Sequence, residues 1–249
     1  MQNPGFEDNF PSIPAITGVF GTDSVPVTEP NVPEHWVIDS YGVPPYAEWI
    51  EAAGYGAGDS DHFVYVPAGN GFCVEPLHDH LVSPILAGQR YELTVSLASA
   101  DSEQAAVFSA HLSSQQGNWH PLYDATGTEL LRFDTSSPLS ADAGNQNLHG
   151  LSLGPNSSWI DGAQSTIPWQ SYSYVFTAPT SYWDSELNQV VTVAAGQPLL
   201  GVTFDFCTSP TGSGAFVIDD VQLTAIAVPE PGTALLLAGA GIFLRRRRR

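Results

Sequence analysis

The run Tyr91-Glu92-Leu93-Thr94-Val95-Ser96-Leu97 alternates strictly between apolar and polar residues. Successive side chains of a strand point to opposite faces, so Tyr91, Leu93, Val95 and Leu97 belong to the inward face of a half-buried β-strand. The pattern recurs with Leu200, Val202, Phe204 and Phe206, with Tyr172, Tyr174 and Phe176, and with Phe108, Ala110 and Leu112. Phe63 to Val66 and Phe216 to Leu223 are further strands. Turn clusters separate them: Ala87-Gly88-Gln89, Gln116-Gly117-Asn118, Ala195-Gly196-Gln197-Pro198 and Pro210-Thr211-Gly212-Ser213-Gly214. Many one-faced strands need a second apolar layer. The pattern therefore predicts two packed sheets, an all-β sandwich of jelly-roll type.

Other stretches fit this pattern less closely. "PPYAEWIEAAG", around residues 44–54, predicts one or two helical turns. The stretch from Ser113 to Pro168 is rich in Ser, Gly, Asn and Asp and too long for a simple connection. It predicts long loops with a strand such as Leu130 to Phe133. Trp36 and Trp169 sit beside alternating strands and are expected in the core. No internal repeat and no composition break precedes residue 226, so the organisation is one sandwich domain, 1–226, followed by a separate segment, 227–249.

Charge narrows the partners. The chain holds 26 acidic residues against seven arginines and no lysine, a formal net charge of −19. Five of those arginines, Arg245, Arg246, Arg247, Arg248 and Arg249, are its last residues. The rest of the chain keeps only Arg90 and Arg132 as fixed cations. A body so negative repels a phosphate backbone, which excludes nucleic acid as a partner. It suits water, salt and divalent cations.

The apolar run Thr233 to Leu244 precedes the arginines. As a helix it would span roughly 18 Å, against a bilayer core of about 30 Å. Pro229 and Pro231 block a longer helix upstream, and the arginines form a positive-inside anchor. This order predicts a short C-terminal hydrophobic helix held transiently in a membrane. The segment Val228-Pro229-Glu230-Pro231, the glycine-bearing apolar run and the closing arginines together resemble a PEP-CTERM anchor. That resemblance implies an exported bacterial protein of a polysaccharide-rich envelope, processed near Pro229 to Pro231 by an exosortase-type membrane enzyme. The sequence opens MQNPGFEDNF, without a basic n-region or an apolar h-region, so the secretion signal that export requires is expected upstream of residue 1.

The body carries a second resemblance. It opens with Asn3-Pro4-Gly5-Phe6-Glu7, continues through "AGQRYELTVSLAS" and "WQSYSYVFTAP", and closes with Phe216-Val217-Ile218-Asp219-Asp220-Val221-Gln222-Leu223. This order is similar to the galactose-binding-like jelly rolls that include many carbohydrate-binding modules. In those folds a structural calcium sits between the first and last strands. Glu7 then matches the glutamate ligand, and Asp219 or Asp220 the aspartate. Strand parity puts Val217, Asp219, Val221 and Leu223 on one face and Asp220 on the other. An aspartate on an apolar face is costly unless paired or metal-bound, and calcium accepts carboxylate and carbonyl oxygens in flexible geometry.

Cys73 and Cys207 are the two cysteines. In an exported protein they either pair, closing a long loop worth about 4 kcal/mol if unstrained, or remain as two buried thiols. Both arrangements fit the sequence. His78-Asp79-His80 offers two imidazoles of one parity but no third placed metal ligand. No Gly-x-Ser-x-Gly elbow, catalytic Cys-His signature or phosphate-binding glycine loop is present.

Sugar binding rests on aromatic rings, which stack on the apolar faces of pyranoses. Trp119, Trp159 and Trp183 lie in turn-rich polar surroundings, with Tyr123 and Tyr182 beside them. The expectation is a non-catalytic surface protein that binds extracellular polysaccharide. The alternatives are a purely structural matrix protein and, less supported, a glycoside-active enzyme. Chain recovered from the envelope of an exosortase-bearing bacterium should end near Pro229 to Pro231. Intact-mass measurement checks this, and a surface-displayed form still carrying Arg245 to Arg249 would refute it.

Overall fold

The computed structural model describes residues 16–17, 23–26, 36–37, 48–51, 55–58, 61–67, 71–74, 84–114, 120–130, 144–157, 167–184, 187–200, 202–208 and 214–227. Fifteen strands run through them. The first eight are β1 (Ile16–Thr17), β2 (Asp23–Pro26), β3 (Trp36–Val37), β4 (Glu48–Glu51), β5 (His62–Val66), β6 (Gly71–Val74), β7 (Arg90–Ser99) and β8 (Ala106–Ser114). The others are β9 (His120–Pro121), β10 (Leu151–Leu153), β11 (Gln170–Thr177), β12 (Ser181–Asp184), β13 (Gln189–Thr192), β14 (Val202–Thr208) and β15 (Phe216–Ile226).

These strands form a seven-stranded sheet ordered β1-β2-β4-β5-β15-β7-β11 and a six-stranded sheet ordered β10-β8-β14-β6-β3, with β9 attached to β8. The hairpin β12–β13 stands apart as a two-stranded sheet. All of these named strand pairs are antiparallel. The two large sheets pack face to face as a jelly-roll sandwich, the architecture that one-faced strands require. No helix occurs among the described residues, and so none there is long and apolar enough to cross a membrane. The apolar run from Thr233 to Leu244 lies outside them.

Alternation placed the core correctly. Leu93, Val95 and Leu97 of β7, Tyr174 and Phe176 of β11, Phe108, Ala110 and Leu112 of β8, and Val202, Phe204 and Phe206 of β14 are all buried in one cluster. Aromatic rings join the layers: Phe108 meets Phe216 edge-on at 5.2 Å between centroids, and Phe176 meets Phe204 at 5.9 Å.

Three expectations need correction. Residues Glu48–Glu51 form strand β4 rather than a helical turn, because Trp49 and Ile50 are both fully buried on opposite faces of a sheet covered on both sides. Leu200 precedes β14 and is exposed, so the inward series starts at Val202. Trp169 is half-buried, packed against a second cluster, with its indole N–H donating to the Tyr55 carbonyl at 2.7 Å. Trp36 lies in β3.

β15 carries the structural surprise. It pairs with β7 through Asp219 opposite Ser96, then resumes with Gln222 opposite Thr94, so one extra residue is inserted. Asp220 takes the left-handed conformation at this bulge, φ 47°, which aspartate tolerates better than most residues. The inserted residue reverses parity. Val217 joins the second cluster, on the outer face of the seven-stranded sheet, while Val221 and Leu223 pack into the main core. Val217 and Asp219 therefore do not share a face with Val221 and Leu223.

The entry to β15 is equally tight. At Gly214 an added Cβ would lie 2.7 Å from Asp101 Cβ and 2.9 Å from the Gln104 carbonyl oxygen. Gly214→Ala should cost about 1–3 kcal/mol through forced backbone displacement, seen as a melting temperature lower by several degrees. An unchanged melting temperature would show that this approach is not tight in solution.

Candidate functional site

The outer surface becomes ordered around a hairpin, residues 122–130. Asp124 accepts from the amides of Thr126 and Thr128 and from the Thr126 hydroxyl, at 2.8, 2.9 and 2.6 Å. The Thr126 hydroxyl and the Thr128 amide together hold the exposed Asp124 carboxyl below its ordinary range. Leu122 is buried in the core and Leu130 packs against it. Tyr123 and Glu129, which are bridged across the hairpin, project from the other face.

The same logic operates in β12 and β13. Tyr182 is buried and its register partner Val191 packs on the core, so Trp183 and its partner Val190 face outward. The Trp183 amide donates to the Tyr123 carbonyl at 2.6 Å, and the two residues form an antiparallel bridge. Directly opposed residues of antiparallel strands project on the same side. The result is an outward row Glu129–Tyr123–Trp183–Val190. Three interstrand steps give it a length of about 14 Å. Tyr123 and Trp183 are half-buried and Val190 is 45% exposed.

Glu129 also reaches the six-stranded sheet. His111 lies between the buried Ala110 and Leu112 on β8, so it occupies the sheet's outer face. The His111 Nδ1 and a Glu129 carboxylate oxygen lie 2.9 Å apart. The His149 ring stands edge-on to the His111 ring, centroids 4.8 Å apart. One ligand atom from each of His111, Glu129 and His149 falls within 4.8 Å of the others.

Of the residues singled out from sequence, the fold brings Tyr123 and Trp183 together. Tyr182 goes into the core, where burial first and the nearby Asp184 charge second raise its pKa; its ring is not available at the surface. Trp119, Trp159, Glu7, His78 and His80 lie outside the described residues. Cys73 and Cys207 fall on the adjacent strands β6 and β14, with Cys73 opposite Asp205 and Cys207 opposite Gly71. They are thus diagonal neighbours, where Cα atoms stand about 7–8 Å apart, beyond the roughly 4.4–6.8 Å that a disulfide usually spans.

Asp219 is completely buried, and both its carboxylate oxygens accept backbone N–H groups: Oδ2 from Ala57 at 2.7 Å and Oδ1 from Asp220 at 2.6 Å. The Asp220 carboxylate takes a separate partner, the Gln222 side-chain amide, at 2.6 Å. Two backbone amides thus meet the Asp219 carboxylate. Elsewhere a cleft of about 320 Å³ opens beside Leu97, Ser99, Leu153, Asn156, Pro168 and Gln170. Tyr123 and Trp183 are not among its walls.

The cluster of His111, Glu129 and His149 was not found from sequence. The legible signal was His111 itself, an outward-parity histidine inside a strong strand. Nothing pointed to its two partners.

Residues 227–249 match the PEP-CTERM protein-sorting motif, which marks the chain for export. No curated protein matches the sequence. Among solved structures, the chain is similar to an arabinose-bound α-L-arabinofuranosidase, at 13% identity over 91% of this chain and 26% of that one, TM-score 0.45. It is also similar to the CBM22-1 xylan-binding domain from Paenibacillus barcinonensis, at 10% identity over 82% and 94%, TM-score 0.41. A family 16 carbohydrate-binding module matches at 13% identity over 77% and 91%, TM-score 0.38. The chain thus spans about a quarter of the length of the first of these and most of the other two.

Asp219→Asn would set an amide NH₂ against a backbone N–H donor. It should destabilise the fold by about 1–3 kcal/mol, measured by denaturant unfolding. A variant as stable as the parent would mean that these two hydrogen bonds do not anchor the 55–58 turn to β15.

Proposed function

We propose that this exported sandwich is a non-catalytic polysaccharide-binding protein of the bacterial envelope. In this reading the outward row Glu129–Tyr123–Trp183–Val190 is its contact surface, and an exosortase-type enzyme at the membrane processes its tail. The observation that carries the reading is the placement of Tyr123 and Trp183 side by side on the outer face, 60 residues apart in sequence. Two adjacent rings on a rigid ribbon are suited to stacking on pyranose faces, and Glu129 at the end of the row can accept from sugar hydroxyls. The net charge of −19 disfavours anionic polymers. The ligand class is therefore a neutral polysaccharide.

Native electrophoresis through gels containing soluble xylan, β-glucan, galactomannan or alginate tests this. The protein should be retarded in at least one of the three neutral gels and not in alginate. Trp183→Ala and Tyr123→Ala should each weaken the retardation about tenfold, with melting temperatures recorded in parallel. Free migration in every gel, or full retardation of both variants, would overturn the proposal.

A further inference from the structure

We propose that His111, Glu129 and His149 form a binding site for a divalent transition metal of the zinc class. The site shares Glu129 with the row proposed for polysaccharide, but it requires no sugar and its readout uses none.

The ligand set is two imidazoles and one carboxylate. Imidazole nitrogen favours zinc, copper, nickel or iron(II) over calcium or magnesium, which prefer oxygen alone. Three protein ligands are the complement of an open zinc site, with a fourth position left to water or another ligand. In a tetrahedral site with bonds of about 2.0–2.1 Å, ligand atoms stand about 3.3 Å apart. Here the His111 Nδ1 and a Glu129 oxygen are at 2.9 Å, and the whole set lies within 4.8 Å. Side-chain rotations that move atoms by less than about 2 Å close the remaining distance.

The backbone beneath each ligand is fixed. His111 sits in the middle of β8, its neighbours Ala110 and Leu112 fully buried. His149 follows the fully buried Leu148, whose carbonyl accepts from the Ala110 amide at 2.9 Å. It precedes Gly150, which has φ 66° and donates its amide to the Ser109 hydroxyl at 3.0 Å. Glu129 is held by its bridge to Tyr123 and by the Asp124-braced turn. Ligands on such supports lose little freedom when a metal arrives.

The surroundings favour a cation. His111 and Glu129 side chains are only 11% and 15% exposed, which strengthens electrostatic contact.

The test uses the full chain, stripped with a chelator and kept in mild detergent. Isothermal titration with Zn²⁺ should show one site per chain. Co²⁺, added to the stripped protein, should develop the strong visible absorption of a low-coordinate, nitrogen-ligated site. His149→Gln and Glu129→Gln should each weaken Zn²⁺ binding about tenfold or more and abolish the Co²⁺ spectrum. A combined His78→Ala, His80→Ala variant should behave as the parent. Circular dichroism establishes that each variant is folded, and Glu129→Gln, the closest in shape, decides if His149→Gln is not. Absence of Zn²⁺ binding, parental binding in both glutamine variants, or binding lost only with His78 and His80 would overturn the site.

Discussion

Apolar contact between the inner faces of the two sheets underlies every other feature of this protein. Phe108 against Phe216 and Phe176 against Phe204 bridge the layers, and each ring fully withdrawn from water contributes about 1.5–3 kcal/mol. A core closed this way sets the parity of each strand that lines it. Residues of one parity are consumed by packing, and those of the other are free to carry charge and chemistry. A chain with so few cations can remain folded at a net charge of −19 because most of its carboxylates need not enter that core. Asp219 does enter a buried layer, and two backbone amides receive it.

The candidate site is a direct consequence of this arrangement. Each of its residues adjoins a core anchor: Tyr123 follows Leu122, Glu129 precedes Leu130, Trp183 follows Tyr182, His111 lies between Ala110 and Leu112, and His149 follows Leu148. Burying the anchor points the neighbour outward. The 122–130 hairpin then joins the two outward groups, since Tyr123 bridges Trp183 on one side and Glu129 on the other, and Glu129 meets His111. The aromatic row and the histidine pair share one ribbon, which couples their positions through main-chain hydrogen bonds.

Some of this was legible residue by residue. The alternation at Tyr91 to Leu97 and at Val202 to Phe206 encodes burial without reference to any partner, so β7 and β14 could be placed from sequence. Trp183 and Tyr123 were recognisable as ring-bearing residues in polar surroundings, but Tyr182 was not separable from Trp183, because which of two adjacent aromatics turns inward depends on what covers the hairpin. Glu48–Glu51 looked helical because a strand buried on both faces has no alternation to show. The parity of Asp219 failed for a different reason: a bulge inserts its extra residue against a partner strand, and the single strand carries no mark of it beyond a tolerant Asp220.

The sequence by itself determined the β class, the inward parity of the longest strands, the strong net acidity, and the sorting motif at residues 227–249. These are local properties, written in neighbours a few positions apart. Only the tertiary structure decided that Tyr123 meets Trp183 and that His111, Glu129 and His149 converge. Those contacts join segments far apart along the chain. Their selection depends on which strand edges find hydrogen-bond partners once the core has closed.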